Sequence, residues 1–352
     1  MRDREESYMN RIVLSEAELR SIQGLLGEIT CRHHTVEDET FLNNACLYAH
    51  ELPRRVRSFL NDFKMLEPPA GYCLISGYPV DEEKIGRTPE HWNRRPKVSP
   101  ALAEEVLLIL FGSLLGDLLG WSTQQNGYLV HDVIPIKGHE YEQLGSSSAE
   151  LLTWHNEDAF HAYRCDYLGM MALRNPDDVA TTVASINSLK LKEDLIRILF
   201  EPRFTIRPDE SHLMKNKSAL QKKEEMPDNL LASAYEKISQ MNTQPAKLAV
   251  LYGDPEMPYM RLDPYFMDPL QDDEEGESAL NELVQLLDKQ IWDLVLQRGE
   301  FVFMDNYRMV HGRRSFRARY DGKDRWLKRI SITRDLRKSR NCRVNCTSRI
   351  IY

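Results

Sequence analysis

Residues 152–187 read LTWHNEDAFHAYRCDYLGMMALRNPDDVATTVASIN, and they hold the only His-x-(Asp/Glu) triplet of the chain, His155-Asn156-Glu157. Side chains alternate across an extended chain, so His155 and Glu157 would face the same side, with their backbones about 6–7 Å apart. An imidazole and a carboxylate are suitable ligands for a divalent first-row metal. The triplet alone decides little, because ten histidines give about one or two such triplets by chance in a chain of ordinary composition.

A second stretch, residues 305–329, reads DNYRMVHGRRSFRARYDGKDRWLKR and supplies His311 as a third candidate ligand. Two histidines and one carboxylate on one side of an ion leave positions open on the other side, as in non-haem Fe(II) oxygenases. Zinc sites use the same types of ligand. The residues alone therefore leave the metal open between iron and zinc.

Residues 325–333, RWLKRISIT, predict a strand with Arg325 and Arg329 on the same face, about 13 Å apart along the backbone. Burying two guanidinium groups is costly unless each has an anionic partner. Two separate carboxylates, one for each arginine, fit this spacing better than one shared carboxylate. An exposed edge strand with two solvated arginines is the alternative.

Together these residues resemble the Fe(II)/2-oxoglutarate-dependent oxygenases of the taurine dioxygenase and clavaminate synthase type. The resemblance spans roughly residues 70–335. It is carried by residues 124–127 (QQNG), 154–186, 207–212 (RPDESH) and 305–329, which are similar to the branch that hydroxylates free arginine or lysine. It implies an α+β fold whose core is a double-stranded β-helix, a jelly-roll of the cupin type, buttressed by helices.

The resemblance implies which residues bind iron and which bind the cosubstrate. Fe(II) would be held by His155, Glu157 and His311. The distal carboxylate of 2-oxoglutarate would be held by Arg325 with assistance from Thr182, and O2 would be the second cosubstrate.

The resemblance also implies contacts to the substrate, and the residues concerned are Arg329, Gln124, Asp263, Asp209 and Ser147. Arg329 would bind the α-carboxylate and Gln124, with Gln125 as second choice, the α-amino group. Ser147 belongs to a flexible polar loop near the carboxylate, and Asp209 to a closing segment. An ordinary turn at Ser147, a solvated glutamine and a disordered loop around Asp209 are the alternatives from the residues themselves.

Substrate choice depends on Asp263 and Tyr265. Members that use arginine carry two acidic residues two positions apart, whereas this chain keeps Asp263 and has Tyr265 at the second position. A single carboxylate suits an ammonium better than a guanidinium. The sequence therefore predicts hydroxylation of an unactivated carbon of free L-lysine or a close relative, with arginine next.

Other functions stay open beside this prediction. Desaturation or cyclisation of a modified lysine, for example a nitro-lysine, would use the same oxidative chemistry. A zinc hydrolase and a non-enzymatic metal-binding protein belong to different classes, and the second is disfavoured because all four central residues, His155, Glu157, His311 and Arg325, are present.

Composition excludes several classes of protein. A formal net charge of −8 argues against general binding to nucleic acid or membrane surfaces. The N-terminus predicts no secretory signal, and the most apolar run, residues 106–121, is too short to span a bilayer. Six cysteines without Cys-x-x-Cys spacing predict reduced thiols, and a zinc pair of Cys342 and Cys346 lacks a second pair. We expect a cytoplasmic monomer or homodimer whose partner is a small molecule, the amino acid substrate.

The whole chain, residues 1–352, is predicted to form one domain. Its predicted parts are a helical scaffold in 1–70 and 99–121, the jelly-roll core in 122–335 with a lid at about 208–230, and a basic tail in 336–352. Helices are predicted at 54–65, 190–200 and 278–297 and after the capping box that begins at Ser15. Strands are predicted at 71–77, 167–173, 179–186 and 300–304.

Overall fold

The protein is built around two β-sheets, and its computed structural model describes residues 10–216 and 228–352. Within that part of the chain the larger sheet has eight strands, which are β1 (Arg11–Val13), β2 (Tyr72–Ser76), β3 (Asp117–Trp121), β4 (His131–Val133), β6 (Tyr167–Arg174), β11 (Phe301–Asp305), β13 (Trp326–Thr333) and β14 (Ile350–Ile351). The smaller sheet of the described residues has four strands, which are β5 (Leu152–His155), β7 (Thr181–Ser185), β10 (Trp292–Leu294) and β12 (Met309–Arg313). Two further strands, β8 (Leu251–Asp254) and β9 (Met257–Met260), form a hairpin.

The two sheets pack face to face. The strand order is β1-β2-β11-β6-β13-β3-β14 in the larger sheet, with β4 also paired to β13, and β10-β7-β12-β5 in the smaller. Met170 and Val302 of the larger sheet share one apolar cluster with Val183 and Met309 of the smaller sheet. This packing is the two-sheet sandwich that the sequence predicts.

Helices cover the outer faces of both sheets. Those of the described residues are α1 (Glu16–Arg32), α2 (Glu39–Ala49), α3 (Arg54–Leu66), α4 (Glu82–Ile85), α5 (Leu102–Ser113), α6 (Glu193–Leu199), α7 (Asp228–Thr243) and α8 (Glu274–Asp288). The predicted capping box is confirmed, because Ser15 Oγ accepts from Glu18 N and a carboxylate oxygen of Glu18 accepts from Ser15 N. None of these helices is long and apolar enough to cross a bilayer.

Helix α5 joins the N-terminal helices to the larger sheet. An added Cβ at Gly112 would lie 2.7 Å from Ile330 Cδ1, so the absence of a side chain lets the helix approach β13 closely. Lys328 on β13 reaches back and pairs with Glu105 of α5 (2.6 Å) and with Asp132 (2.5 Å). A buried lysine is tolerated there because two carboxylates neutralise it.

Two segments of the predicted helical scaffold are strands. Residues 11–13 pair in parallel with β2, and residues 117–121 pair with the end of β13. An added Cβ at Gly116 would collide with Thr333 O, so the chain passes very near β13 as it leaves α5. The sequence predicts a helical scaffold throughout 99–121, but the helix ends at Ser113 and residues 117–121 pair with a neighbouring strand instead.

The helix predicted at 278–297 is displaced toward the N-terminus. α8 begins at Glu274, where Asp273 accepts a hydrogen bond from Gly276 N (3.0 Å), and ends at Asp288. Glu274, Glu275 and Glu277 therefore lie in the first turn, where negative charge is favourable. Residues 292–294 form β10 instead, because they pair with β7.

The predicted strand, turn, strand pattern of residues 167–186 is confirmed as β6 and β7, which enter different sheets. The predicted basic tail also belongs to the fold, since β14 pairs in parallel with β3. Among the described residues, the clusters able to hold a metal include neither Cys342 nor Cys346. Part of the predicted lid, residues 217–227, lies outside the described residues, and the single-domain organisation stays a prediction.

Candidate metal centre and its cavity

Strand pairing brings two histidines from distant parts of the chain together. β5 and β12 are antiparallel neighbours, and His155 lies directly opposite His311 in their register. Paired residues place their side chains on the same face of a sheet, and the two ring centroids are 4.7 Å apart. Both imidazoles are therefore available to one ion.

Glu157 completes this group. Its Oε2 lies 3.3 Å from Nε2 of His311 and 3.9 Å from Nε2 of His155, yet this buried oxygen makes no hydrogen bond of acceptable geometry within the described residues. A buried carboxylate oxygen without a partner is costly unless a ligand supplies one. The donor atoms of the three residues lie within 4.8 Å of one another. The site therefore fits a divalent cation, and its donor set is that of Fe(II) oxygenases.

The surroundings of Glu157 and His311 favour the protonation states that bind a metal, whereas burial acts to lower the pKa of His155 but the carboxylates of Asp263 and Glu157 outweigh it and raise that pKa. Nδ1 of His155 lies 2.8 Å from Thr153 O and donates to it, which leaves the lone pair of Nε2 for a metal. Burial lowers the pKa of His311 and so favours its neutral form. Burial acts to raise the pKa of Glu157, but Arg329 and His311 outweigh it and hold that pKa well below its usual value.

Two asparagines fix the backbone around the ligands. Asn306 accepts from Glu157 N (2.7 Å) and donates to Glu157 O (3.0 Å). Asn156 donates to the carbonyl oxygens of Asn306 (2.7 Å) and Met309 (2.8 Å) and accepts from Leu262 N (2.8 Å). These contacts tie the triplet to the start of β12, and the sequence analysis assigned neither asparagine a role.

Arg329 contacts the metal centre itself. Its Nη1 lies 2.6 Å from Glu157 Oε1, the oxygen that faces away from the histidines. Its Nη2 lies 3.0 Å from Nδ1 of His131. Burial lowers the pKa of His131 well below its usual value, so this imidazole is neutral and accepts the hydrogen bond. The arginine expected to bind the α-carboxylate thus lines the cavity immediately beside the metal ligands.

One end of the cavity is cationic. Arg325 is buried, its only hydrogen bond within the described residues goes to Thr181 Oγ1 (3.3 Å), and its Nε has no partner there. Burial and the neighbouring Arg313 lower the pKa of Arg325 to about 9. Arg313 donates to the carbonyl oxygens of Ser147 and Glu150 rather than to a carboxylate. A buried guanidinium without an anion nearby is suited to receive a carboxylate.

The threonine beside Arg325 is Thr181, not Thr182 as the resemblance implies. Thr182 pairs with Gly312, and successive side chains on β7 face opposite sides. Thr181 lines the cavity, whereas Thr182 is not among the lining residues of the described chain. All five residues of β7 are buried, so burial pattern could not have told the two faces apart.

Ser147 is also placed differently from the prediction. Its hydroxyl donates to Leu144 O (2.8 Å) and accepts from Nη2 of Arg313 (3.0 Å). The cavity is lined by its neighbour Ser146 instead. Ser147 therefore holds an arginine of the cationic end and does not face the substrate region.

The other end of the cavity is acidic. Asp158, Asp209 and Asp263 all line it. Burial raises the pKa of Asp263 to about 7, the imidazole of His155 opposes this rise, and the carboxylate of Asp209 adds to it. Tyr265 stands at the rim with 55% of its surface exposed. This end is therefore built to gain from a cation.

The two candidate glutamines differ in their contacts. Nε2 of Gln124 donates to Ser211 Oγ (2.6 Å) and to Asp158 Oδ1 (3.3 Å) at the acidic end. Gln125 is bound on both sides by the backbone of Asp132, at 2.9 and 3.1 Å. Both line the cavity, but the amide of Gln125 is already committed, which favours Gln124 as the substrate contact.

One cavity of about 280 Å³ is lined by the metal ligands and by side chains of both charged ends. Residues in or beside the cavity that were not predicted include His131, Asp158, Thr181, Ser211, His212 and Arg313. Four of these, Asp158, Thr181, His212 and Arg313, are buried polar residues within the quoted segments, and this was the available signal. Their partners lie far away in the chain, so the sequence could not rank them.

Several known proteins are similar in sequence to almost the whole of this chain. Residues 108–331 match the family model described as Taurine catabolism dioxygenase TauD, TfdA family. The L-ornithine/L-arginine 3-hydroxylase of Catenulispora acidiphila is 44% identical over 345 residues, which cover 98% of this chain and 100% of that protein. The Enduracididine beta-hydroxylase of Streptomyces hygroscopicus is 41% identical over 339 residues, covering 96% and 98%.

A solved structure is similar along almost the whole chain. The non-heme iron oxygenase OrfP in complex with Fe, succinate and (3S)-hydroxy-L-Arg has a TM-score of 0.91 at 43% identity, and the match covers 97% of this chain and 99% of that chain. OrfP has also been solved with Fe and alpha-ketoglutaric acid. This likeness confirms the predicted fold, a double-stranded β-helix core buttressed by helices.

Proposed function

The chain belongs to the taurine catabolism dioxygenase TauD, TfdA family, and we propose that it hydroxylates carbon 3 of L-arginine or L-ornithine. It is an oxygenase that uses Fe(II), 2-oxoglutarate and O2 to hydroxylate a free basic amino acid. The preferred amino acid and the oxidised carbon are the parts that we infer.

One observation carries the proposal, namely that the metal ligands, a cationic group and an acidic group all line one cavity. A dicarboxylic cosubstrate needs a cation at the end opposite the metal, and a basic amino acid needs an anion for its side chain. Arg325 offers the first, and Asp209 with Asp263 offer the second. No single ligand of one charge would complement both ends.

The residues of this chain act by binding and orienting the reactants. When bound, Fe(II) would supply the redox chemistry that couples oxidation of 2-oxoglutarate to succinate and CO2 with hydroxylation of an unactivated C–H bond by O2. His155, Glu157 and His311 would hold it. Arg325 pairs with the distal carboxylate of 2-oxoglutarate. The hydroxyl oxygen of Thr181 accepts a hydrogen bond from Arg325 Nη2 beside that pair. Burial of both residues keeps water from competing with the carboxylate.

The substrate is held at both of its ends. Arg329 pairs with the α-carboxylate and Gln124 accepts from the α-amino group, while Asp209 and Asp263 pair with the basic side chain. Because Arg329 already touches Glu157 (2.6 Å), a carboxylate bound to it lies next to the metal. The carbons nearest the α-carbon then face the metal, which favours carbon 3 over the end of the side chain.

The choice of arginine or ornithine replaces the preference for lysine that the sequence suggests. That preference rests on Asp263 as a single carboxylate, but Asp209 faces the same end of the cavity. Two carboxylates can share one guanidinium, which presents five donors in a fixed fork. The names of the two relatives at 44% and 41% identity also refer to ornithine, arginine and enduracididine.

Mass spectrometry of single amino acids tests the proposal. The protein is incubated with Fe(II), 2-oxoglutarate and O2 and with L-arginine, L-ornithine, L-lysine or L-enduracididine, and the hydroxylated carbon is located by NMR. We expect a product one oxygen heavier from arginine or ornithine, hydroxylated at carbon 3, with an equal amount of succinate.

Three outcomes would count against parts of this proposal. A faster reaction with lysine than with arginine or ornithine would favour the preference for lysine that the sequence predicts. Hydroxylation at carbon 4 or beyond would contradict the placement by Arg329. Activity that persists without O2 and without 2-oxoglutarate would favour a hydrolase.

A further inference from the structure

A histidine outside the metal centre is buried beside it. His212 ends the short 3₁₀ helix Glu210–His212, and its side chain is 0% exposed. Its Nε2 lies 3.0 Å from Oδ1 of Asp158, and Thr123 Oγ1 lies 2.7 Å from its Nδ1. The hydroxyl donates to Nδ1 when Nε2–H donates to the carboxylate, so both ring nitrogens are satisfied.

The pocket around this imidazole is aromatic and rigid. The rings of Trp121 and Phe160 meet it edge-on, at centroid distances of 5.4 and 4.9 Å. Trp121 Nε1 also donates to Oδ2 of Asp158 (2.6 Å), so that carboxylate is held independently of His212. Asp158 directly follows the metal ligand Glu157. The pocket that receives His212 is therefore part of the loop that carries the metal ligand.

The segment anchored by His212 carries residues that face the substrate. Asp209 and Ser211 line the cavity, and Asp209 Oδ1 accepts from Ser211 N (2.9 Å). Ser211 Oγ accepts from Gln124 Nε2 (2.6 Å). Asp209 is close enough to Asp263 to raise its pKa. Withdrawal of the imidazole from its pocket would move these carboxylates apart.

The cluster of Asp158, Asp209 and His212 has the composition of a metal site, with donor atoms within 4.8 Å of one another. In the tautomer described above its imidazole offers no free lone pair, however, because one nitrogen donates to Asp158 and the other accepts from Thr123. Asp158 and His212 are thus hydrogen-bonded to each other, with Asp209 Oδ2 at 3.8 Å from Nε2 of His212. The cluster differs in this from Glu157, whose Oε2 makes no hydrogen bond in the described chain.

We propose that His212 is a positioning residue that fixes residues 209–212 against the cavity and thereby sets Asp209 beside Asp263 as a two-carboxylate site for a guanidinium. The inference rests on the proposed function, since it assigns the specificity of the same site. It predicts that loss of the anchor harms arginine more than ornithine, because an ammonium is satisfied by one carboxylate whereas a guanidinium fork uses two.

The test compares variants of the full chain loaded with Fe(II). His212→Ala removes the anchor, and Thr123→Val removes only its Nδ1 partner in case the first variant folds poorly. Asp209→Asn keeps the anchor and removes one charge of the pair. His34→Ala, at an exposed histidine, is the matched control. KM for arginine, ornithine and 2-oxoglutarate, the ratio of hydroxylated product to succinate, and bound metal are measured for each.

We expect His212→Ala to raise KM for arginine at least tenfold and KM for ornithine by less than half that factor, with KM for 2-oxoglutarate within twofold. Thr123→Val should shift the arginine to ornithine ratio in the same direction by a few fold. Asp209→Asn should reproduce the shift of His212→Ala, and His34→Ala should change nothing. Product per succinate should fall in His212→Ala, because a misplaced substrate allows cosubstrate turnover without hydroxylation.

Amide hydrogen exchange separates failure of this inference from failure of the proposed function. Without substrate, amides 210–216 should exchange faster in His212→Ala and Thr123→Val than in the wild type, whichever amino acid the enzyme uses. Unchanged exchange in both variants overturns the anchor, as does an unchanged arginine to ornithine ratio. Two metal ions bound per wild-type chain would overturn it in favour of a second metal site. Absence of any hydroxylated basic amino acid from the wild type would instead refute the proposed function.

Discussion

The two ends of the cavity are both buried and charged, but different parts of the fold build them. At the cationic end, Arg313 lies on β12, Thr181 lies on β7, and Arg325 lies immediately before β13. The acidic end takes Asp158, Asp209 and Asp263 from loops and short turns. Strands therefore hold one end, and connections between strands and helices hold the other.

This difference matches what each end has to bind. Side chains on hydrogen-bonded strands keep fixed positions, which suits a cosubstrate that is the same in every cycle of the reaction. Loops tolerate changes in sequence and conformation more readily. We infer that the strands of the sheets position the cosubstrate and that the loops determine which amino acid is bound.

Removal of a metal ligand should abolish the function of both ends at once. Glu157→Ala leaves two imidazoles and an unpaired Arg329, so we expect iron binding and succinate formation to fall by more than the roughly 10- to 100-fold loss typical of outer-shell changes. Iron titration and succinate assays measure both losses, with Glu256→Ala at the exposed tip of the β8–β9 hairpin as control. If Glu157→Ala retains iron binding and turnover, Glu157 is not a metal ligand and the metal centre lies elsewhere.

Loss of the guanidinium at the cationic end should affect only the cosubstrate. Arg325→Gln removes the partner of a buried carboxylate, and we expect KM for 2-oxoglutarate to rise roughly 100-fold. KM for the amino acid should stay within twofold. Steady-state kinetics with each substrate varied in turn provides the measurement, and equal increases in both constants would contradict the separation of the two ends.

Loss of charge at the acidic end should have the opposite selectivity. Asp263→Asn keeps the size of the side chain and removes its charge, so we expect KM for the basic amino acid to rise roughly tenfold. KM for 2-oxoglutarate should hardly change. The same pair of kinetic titrations tests this prediction, and a shared effect on both cosubstrate and amino acid would refute the role of Asp263.

The acidic end should also respond to pH. The pKa of Asp263 is raised to about 7, so its carboxyl is neutral below that pH and charged above it. Only the charged form attracts a cationic side chain, and kcat/KM for the amino acid should therefore rise as pH increases through about 7. Asp263→Asn should flatten this rise. A wild-type profile without a step near that pH, or a step that persists in the variant, would assign the titration to another group.

The smallest expected effect distinguishes two neighbouring threonines. Thr181→Val removes a neutral hydroxyl beside Arg325, which should raise KM for 2-oxoglutarate by roughly three- to tenfold. Thr182→Val serves as its matched control and should leave that constant unchanged, because its side chain faces away from the cavity. If Thr182→Val has the larger effect, then Thr182 assists the binding of 2-oxoglutarate as the resemblance implies, and the role given to Thr181 from the register of β7 is wrong.

Much of the metal centre could be predicted from short-range pattern. His155 and Glu157 are two residues apart, and Arg325 and Arg329 are four apart on one strand, so alternation of side chains alone placed each pair on one face. The resemblance then joined His311 to them. Thr182 and Ser147 each stand one residue away from the side chain that lines the cavity, Thr182 in a strand buried on both faces and Ser147 in a loop without periodicity.

Residue types, their repetition along strands and helices, and the resemblance to a family can all be read from the order of residues. The positions of His311 opposite His155, of Thr181 beside Arg325, and of His212 in the pocket beside Asp158 are visible only in the folded chain. These contacts join residues about 54 to 156 positions apart. Pairing over such distances depends on sheet register and loop packing, which are set by the whole folded chain and leave no local periodic signal.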